Sequence, residues 1–116
     1  MLAVTQLWLL YMGTGGLLIL LSLPLIAGWV PPNQLYGFRV TKTLSNPQIW
    51  YAANREAGKY LAAAGVCIAV GTTLFYWIKP WELLFYAVAC LLITTLSLGY
   101  AIVQSFRSLS KMKVED

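Results

Sequence analysis

The first charged side chain in the sequence is Arg39, and every residue before it is neutral. No other feature limits the fold so strongly, because a helix needs only about 20 apolar residues to cross the hydrocarbon core of a bilayer. A membrane span is therefore expected over residues 4–27. Pro24 falls near its end, where a kink is tolerated if neighbouring groups satisfy the freed carbonyl. The helix is expected to stop ahead of Pro31 and Pro32, since a proline disfavours helix at the residue before it. The segment lacks a basic start and a small-residue cleavage site, and its apolar run is too long for a signal peptide. It reads as a retained span.

Two more apolar segments follow, at 60–78 and 83–103, separated by the polar turn Lys79-Pro80-Trp81-Glu82. Charged residues make up 10% of the chain, against about 25% in a soluble domain whose surface must be solvated. The surface expects lipid. The reading is an all-α membrane protein, one domain over 1–116, with three transmembrane helices in an antiparallel up-down-up bundle. Segment 31–59 is the one sizeable water-facing part. It carries Arg39, Lys42, Arg55 and Lys59, and the tail adds Arg107, Lys111 and Lys113, while the opposite side holds only Lys79. By the positive-inside rule the loop and C-terminus face the cytoplasm and the N-terminus lies outside. Trp8, Tyr11, Trp77 and Trp81 suit an outer aromatic belt, and Trp29, Trp50, Tyr51 and Tyr100 an inner one.

What is missing narrows the function. The net charge of +4 comes from residues beside apolar spans, with no basic groove or DNA-binding pattern, so no nucleic-acid partner is expected. Those cations suit anionic headgroups, each worth roughly 1 kcal/mol near the surface. There is no histidine, and Cys67 and Cys90 stand alone in apolar stretches. No metal, no cofactor and no catalytic site is expected, and the chain is read as a non-enzyme. No Asp, Glu, Lys or Arg lies clearly within a span, which disfavours a pump or an ion-coupled transporter.

Helix packing in lipid favours small residues that let backbones approach. The second span carries Gly58, Ala62, Gly65, Ala69 and Thr72 at helical spacing, and the third Ala87, Cys90, Thr94, Ser97 and Ala101. These stripes are expected to face protein, most simply each other across the short turn, with a homodimer interface as the alternative. Gly13 and Gly16 make a shorter patch in the first span.

The polar segment reads PPNQLYGFRVTKTLSNPQIWYAANREAGKY. Ser45 or Asn46 is a natural N-cap, with Pro47 in the first turn and Gln48 placed for a capping box. A helix from Pro47 can run unbroken into the membrane. On it Trp50, Asn54, Gly58 and Leu61 share one face. Trp50 suits the interface, with its ring in the acyl boundary and its N–H on a polar partner. Asn54 has donors and an acceptor with which to tie the loop to the helix. Tyr36-Gly37-Phe38-Arg39 is expected to tuck against that face, Gly37 supplying a positive-φ turn. Arg39 is a candidate contact for a lipid phosphate, a loop carbonyl or a partner's carboxylate. The segment serves either to fasten the loop to the bundle or to form a ligand or partner site centred on Arg39 and Asn54.

The run Pro32, Asn33, Tyr36, Gly37, Arg39, Thr43, Asn46, Trp50, Asn54 and Gly58 resembles the motif of the SdpI-type bacterial membrane immunity family, approximately PxNxxYGxRTxxT followed by Asn, Trp and an N-R-x-x-G ending. Val40 stands where many members have Thr. The best-known member carries an additional membrane-spanning half ahead of this region. The resemblance implies a bacterial cytoplasmic-membrane protein; that same member protects its cell from a secreted membrane-active peptide toxin and sequesters a repressor at the membrane, so toxin resistance or sensing through the loop is the role the resemblance suggests. Two other functions stay open beside it. One is an accessory subunit of a larger respiratory or photosynthetic membrane complex. The other is a transporter fragment active only as an oligomer.

Overall fold

The computed structural model describes residues 2–78 and 82–113. Four helices follow one another: α1 (Leu2–Ala27), a single turn α2 (Thr41–Leu44), α3 (Pro47–Ile78) and α4 (Leu83–Ser110). Three of them are long and apolar enough to cross a membrane, and among the described residues there is no strand. The turn expected at Lys79, Pro80 and Trp81 lies outside the described residues.

At about 1.5 Å per residue, the 32 residues of α3 make a rod longer than the ~30 Å hydrocarbon core. Its first turns therefore project past the span, and α1 and α4 pack antiparallel against it. Asn46 is the cap that starts it: its Oδ1 accepts from the Gln48 and Ile49 amides at 2.9 and 3.3 Å. Ser45, the other candidate, ends α2 instead. The stop of α1 comes before the prolines. Gly28, at φ +75°, lets its own N–H reach Leu25 O and the Trp29 N–H reach Pro24 O, at 3.3 and 3.0 Å. This is a Schellman closure, which a left-handed glycine makes possible.

The small-residue stripe of α3 faces α1, not α4. Cβ atoms added at Gly15 or at Gly65 would each stand 2.6 Å from the other residue's carbonyl oxygen, so the two backbones touch directly. Gly58 meets Ser22 and Ile26 of α1 in the same way, and Ala69 lies against Gly15. In α1 the packing glycine is Gly15, because Gly13 and Gly16 face open space. The α3–α4 seam is filled by side chains: Ile93 against Gly71, and the Tyr86 hydroxyl donating to Thr72 O at 2.9 Å. From the α4 stripe Cys90 is buried, but it clusters with Val4 of α1 and with Tyr86; Ala62, Ala87, Thr94 and Ser97 are half-buried. Two stripes of equal size are equally able to pair in sequence. On the α3–α4 seam Ile93 and Tyr86 hold the backbones apart, whereas on the α1–α3 seam Gly15 and Gly65 let them touch, and this decides between the two pairings.

At the end away from the loop, aromatic residues lock the three helices. Trp8 stacks on Tyr76 at 4.6 Å and donates to Thr73 Oγ1 at 2.9 Å. Tyr76 shares a 2.6 Å hydrogen bond with Thr5 and meets Tyr86 edge-on.

The glycine contacts make opposite forecasts for one substitution. Gly65→Ala should lower the thermal stability of the detergent-solubilised protein by about 1–3 kcal/mol, through forced separation of α1 and α3, and Gly65→Leu by more. Gly13→Ala should raise it by up to about 1 kcal/mol through helix propensity alone. Equal effects at the two sites would contradict the assigned α1–α3 contact.

Candidate functional site: the motif loop and the cleft beneath it

The loop between α1 and α3 is built around three side chains whose polar atoms all bond to backbone. Asn33 makes an Asx turn, its Oδ1 accepting from the Leu35 and Tyr36 amides at 2.8 and 2.7 Å while its Nδ2 donates to Pro31 O at 2.7 Å. Thr43 is fully buried. Its Oγ1 accepts from Val40 N–H at 2.9 Å and donates to Phe38 O at 2.9 Å. This hydroxyl initiates the single turn α2, where Val40 itself offers no capping oxygen.

Asn54 joins the loop to α3. Its side chain is 2% exposed. Oδ1 accepts from Phe38 N–H at 2.6 Å, and Nδ2 donates to Trp50 O at 2.9 Å and to Phe38 O at 3.4 Å. Gly37, at φ +120°, is what allows this approach: a Cβ there would meet Asn54 Oδ1 at 2.8 Å and the Trp50 ring at 3.1 Å. The Trp50 ring is turned to protein and not to an acyl boundary. The loop folds over its ring, leaving it fully buried, and its Nε1 donates to Val30 O at 2.8 Å.

The remaining motif residues extend the clamp. The Tyr36 hydroxyl donates to Leu21 O. Burial pushes the Tyr36 phenol above its ordinary value. Arg39 donates through Nη1 to Gln34 O and is otherwise exposed. Gly58 lies beneath the end of α1, while Pro32 is exposed beside the Asx turn. Two of the cations counted for topology are also engaged inside the protein. Arg55 Nε donates to Ile26 O at 3.1 Å and Lys42 Nζ to Leu109 O at 2.8 Å, each at the negative end of a helix dipole.

The tail has a structural part that its mixed composition did not announce. Helix α4 runs on past residue 103 to Ser110, and Leu109 packs with Ile49, Ala53, Phe38, Val40 and Met112. Phe106 meets Phe38 edge-on at 5.0 Å. The loop is thus held between the start of α3 and the end of α4. The signal for this was the spacing of Phe106, Leu109 and Met112, an apolar i, i+3, i+6 row beyond the span.

Under the loop, α1 and α4 part to leave an apolar cleft of about 400 Å³. Leu21 and Leu25 form one wall, Leu98, Ile102 and Phe106 another, with Ala57 and Leu61 of α3 at the back and Tyr36-Gly37-Phe38 as the roof. Nothing in the sequence pointed to it, since it needs three helices and the folded loop. Among the described residues no group of three His, Cys, Asp or Glu side chains is placed to hold a metal.

These features define a three-helix, multi-pass membrane protein in which a polar motif fastens a loop over the ends of the helices. Residues 29–101 match the model of the SdpI/YfhL protein family. The chain belongs to that family. The match takes in the loop, α3 and most of α4, and leaves α1 outside. No curated protein and no solved structure gave a significant match.

Removing the Asn54 amide tests the clamp. Asn54→Ala strands the Phe38 N–H, at a cost of about 1–3 kcal/mol for an unsatisfied buried donor. The expected result is rapid hydrogen exchange and new protease cleavage between residues 33 and 42, with overall helicity unchanged. Continued protection of the loop would remove Asn54 from the clamp.

Proposed function

We propose that this chain is a non-enzymatic protein of the bacterial cytoplasmic membrane that confers or senses resistance to a membrane-active peptide toxin, with its motif loop facing the cytoplasm. Membership of the SdpI/YfhL family supports the reading. The observation that carries it is the division of labour within the loop. Asn33, Thr43, Trp50 and Asn54 have their polar atoms committed to backbone partners, which makes the loop a rigid platform. That platform presents a different set of residues outward: Gln34, Arg39 and Leu35, the last 90% exposed. An exposed guanidinium on a rigid loop, here beside an outward apolar side chain, is the kind of group on which a protein partner docks. Asn54 is too deeply buried to touch a partner and serves as the fastening.

The test is expression in a bacterium that is sensitive to such toxins and lacks an immunity protein of this type. Survival on challenge with the secreted peptide should rise with the wild-type chain. It should fall back with Leu35→Asp or Arg39→Gln while membrane abundance stays constant. A cysteine placed at Leu35 should label only from the cytoplasmic side. Absence of protection at full abundance, together with stoichiometric co-purification in a larger membrane complex, would replace this reading by that of an accessory subunit.

A further inference from the structure

The cleft beneath the loop bears on a different property, the lipid the protein carries. The Tyr36 hydroxyl proton is given to Leu21 O, and Ser105, the other hydroxyl on the lining, donates to Ala101 O at 2.7 Å. Neither side-chain hydroxyl on the lining is left to orient a polar ligand. The remaining wall side chains are aliphatic or aromatic. An apolar cavity holds water poorly, and a void forfeits the dispersion contacts of every atom that lines it. In a span, the material at hand to fill such a cleft is an acyl chain.

The mouth adds a charge preference. Phe38 and Phe106 meet at the loop end of the cleft, with ring centroids 5.0 Å apart, and the residue following each of them is an exposed arginine, Arg39 and Arg107. Lys42 and Arg55 are engaged with helix carbonyls, and Lys59 pairs with Glu56 at 3.3 Å. Arg107 has no side-chain partner among the described residues, and Arg39 bonds a single carbonyl through Nη1. Neither arginine lines the cleft itself; each is the next residue to a ring that does, and a guanidinium so placed complements a phosphate esterified to an acyl glycerol.

We infer that the cleft between α1 and α4 is a binding site for one anionic phospholipid, its acyl chain lying between Leu25, Leu61 and Ile102 and its phosphate facing Arg39 and Arg107. This goes beyond the toxin reading and stands without it.

The experiment is native mass spectrometry of the full chain, delipidated in mild detergent and titrated separately with phosphatidylglycerol, phosphatidylcholine and glycerol phosphate. One phosphatidylglycerol should bind per chain, at least about tenfold tighter than phosphatidylcholine, the preference expected of two cations near a headgroup. Glycerol phosphate, which lacks the chain, should not bind. Arg39→Gln with Arg107→Gln should abolish the preference but keep a bound lipid, and Ala57→Phe should abolish both by filling the cleft. Leu98→Trp fills it from the opposite wall and serves if Ala57→Phe does not yield helical protein. Equal retention of the two lipids, or undiminished binding in both filled variants, overturns the assignment. So does a lipid-free dimer, which would give the cleft to a second copy.

Discussion

A backbone that leaves the membrane along α1 and returns along α3 has polar groups to satisfy close to lipid, and here one buried carboxamide ties the loop to the returning helix. Asn54 accepts the amide of Phe38 and donates to the carbonyls of Phe38 and Trp50, so a single side chain bonds the loop strand and its own helix. Everything else in the loop is arranged so that this side chain can be reached. Gly37 has no Cβ to collide with it, Thr43 turns the chain immediately after the bonded segment, and Trp50 fills the space under the strand while its indole N–H ties down Val30. In a low-dielectric setting such a network is effective only when fully satisfied, because each orphaned group costs more than a made bond contributes.

The same helix organises the bundle by the opposite means. Below Asn54, the α3 face loses its polar atoms and its bulk together: Gly58 and Gly65 admit the backbone of α1. Direct contact between backbones is a strong determinant of helix pairing where lipid supplies no hydrophobic drive. At the far end, Trp8, Tyr76 and Tyr86 close the three helices with rings and hydroxyls. The bundle is therefore tight at its glycine waist and at its aromatic end, and splayed where the loop takes over as the third wall. That splay is the cleft. A loop fastened independently of α1–α4 contact is what lets the cleft exist without loosening the fold.

Much of this was legible in the residues. The uncharged start, the two later apolar segments and the proline and asparagine at the head of α3 led directly to three long helices, with the middle one continuous from Pro47. The i, i+4 relation of Trp50, Asn54 and Gly58 indicated a common face, and Gly37 its special backbone. Other features escaped for definable reasons. Gly28, the residue that ends α1, is less conspicuous in sequence than the prolines that follow it. A tryptophan at a span boundary suits an acyl boundary as well as the space under a loop, and the folded loop is what shows the Trp50 ring enclosed by protein. The pairing of the α3 stripe with α4 followed from nearness in sequence, which carries no information on which neighbour has room for a backbone.

The sequence by itself determined where lipid must be, which segments are helical, and which polar residues belong to one motif, because hydropathy, capping and helical period are properties of neighbouring residues. Tertiary structure decided the remainder: that Gly15 and not Gly13 or Gly16 meets Gly65, that Lys42 and Arg55 cap helix ends, that the tail grips the loop through Phe106 and Leu109, and that a cleft opens beneath Tyr36 and Phe38. Each of these depends on distances between residues far apart in the chain, set by which helix faces pack closest. A one-dimensional pattern constrains those distances only after the closest-packed pair is known.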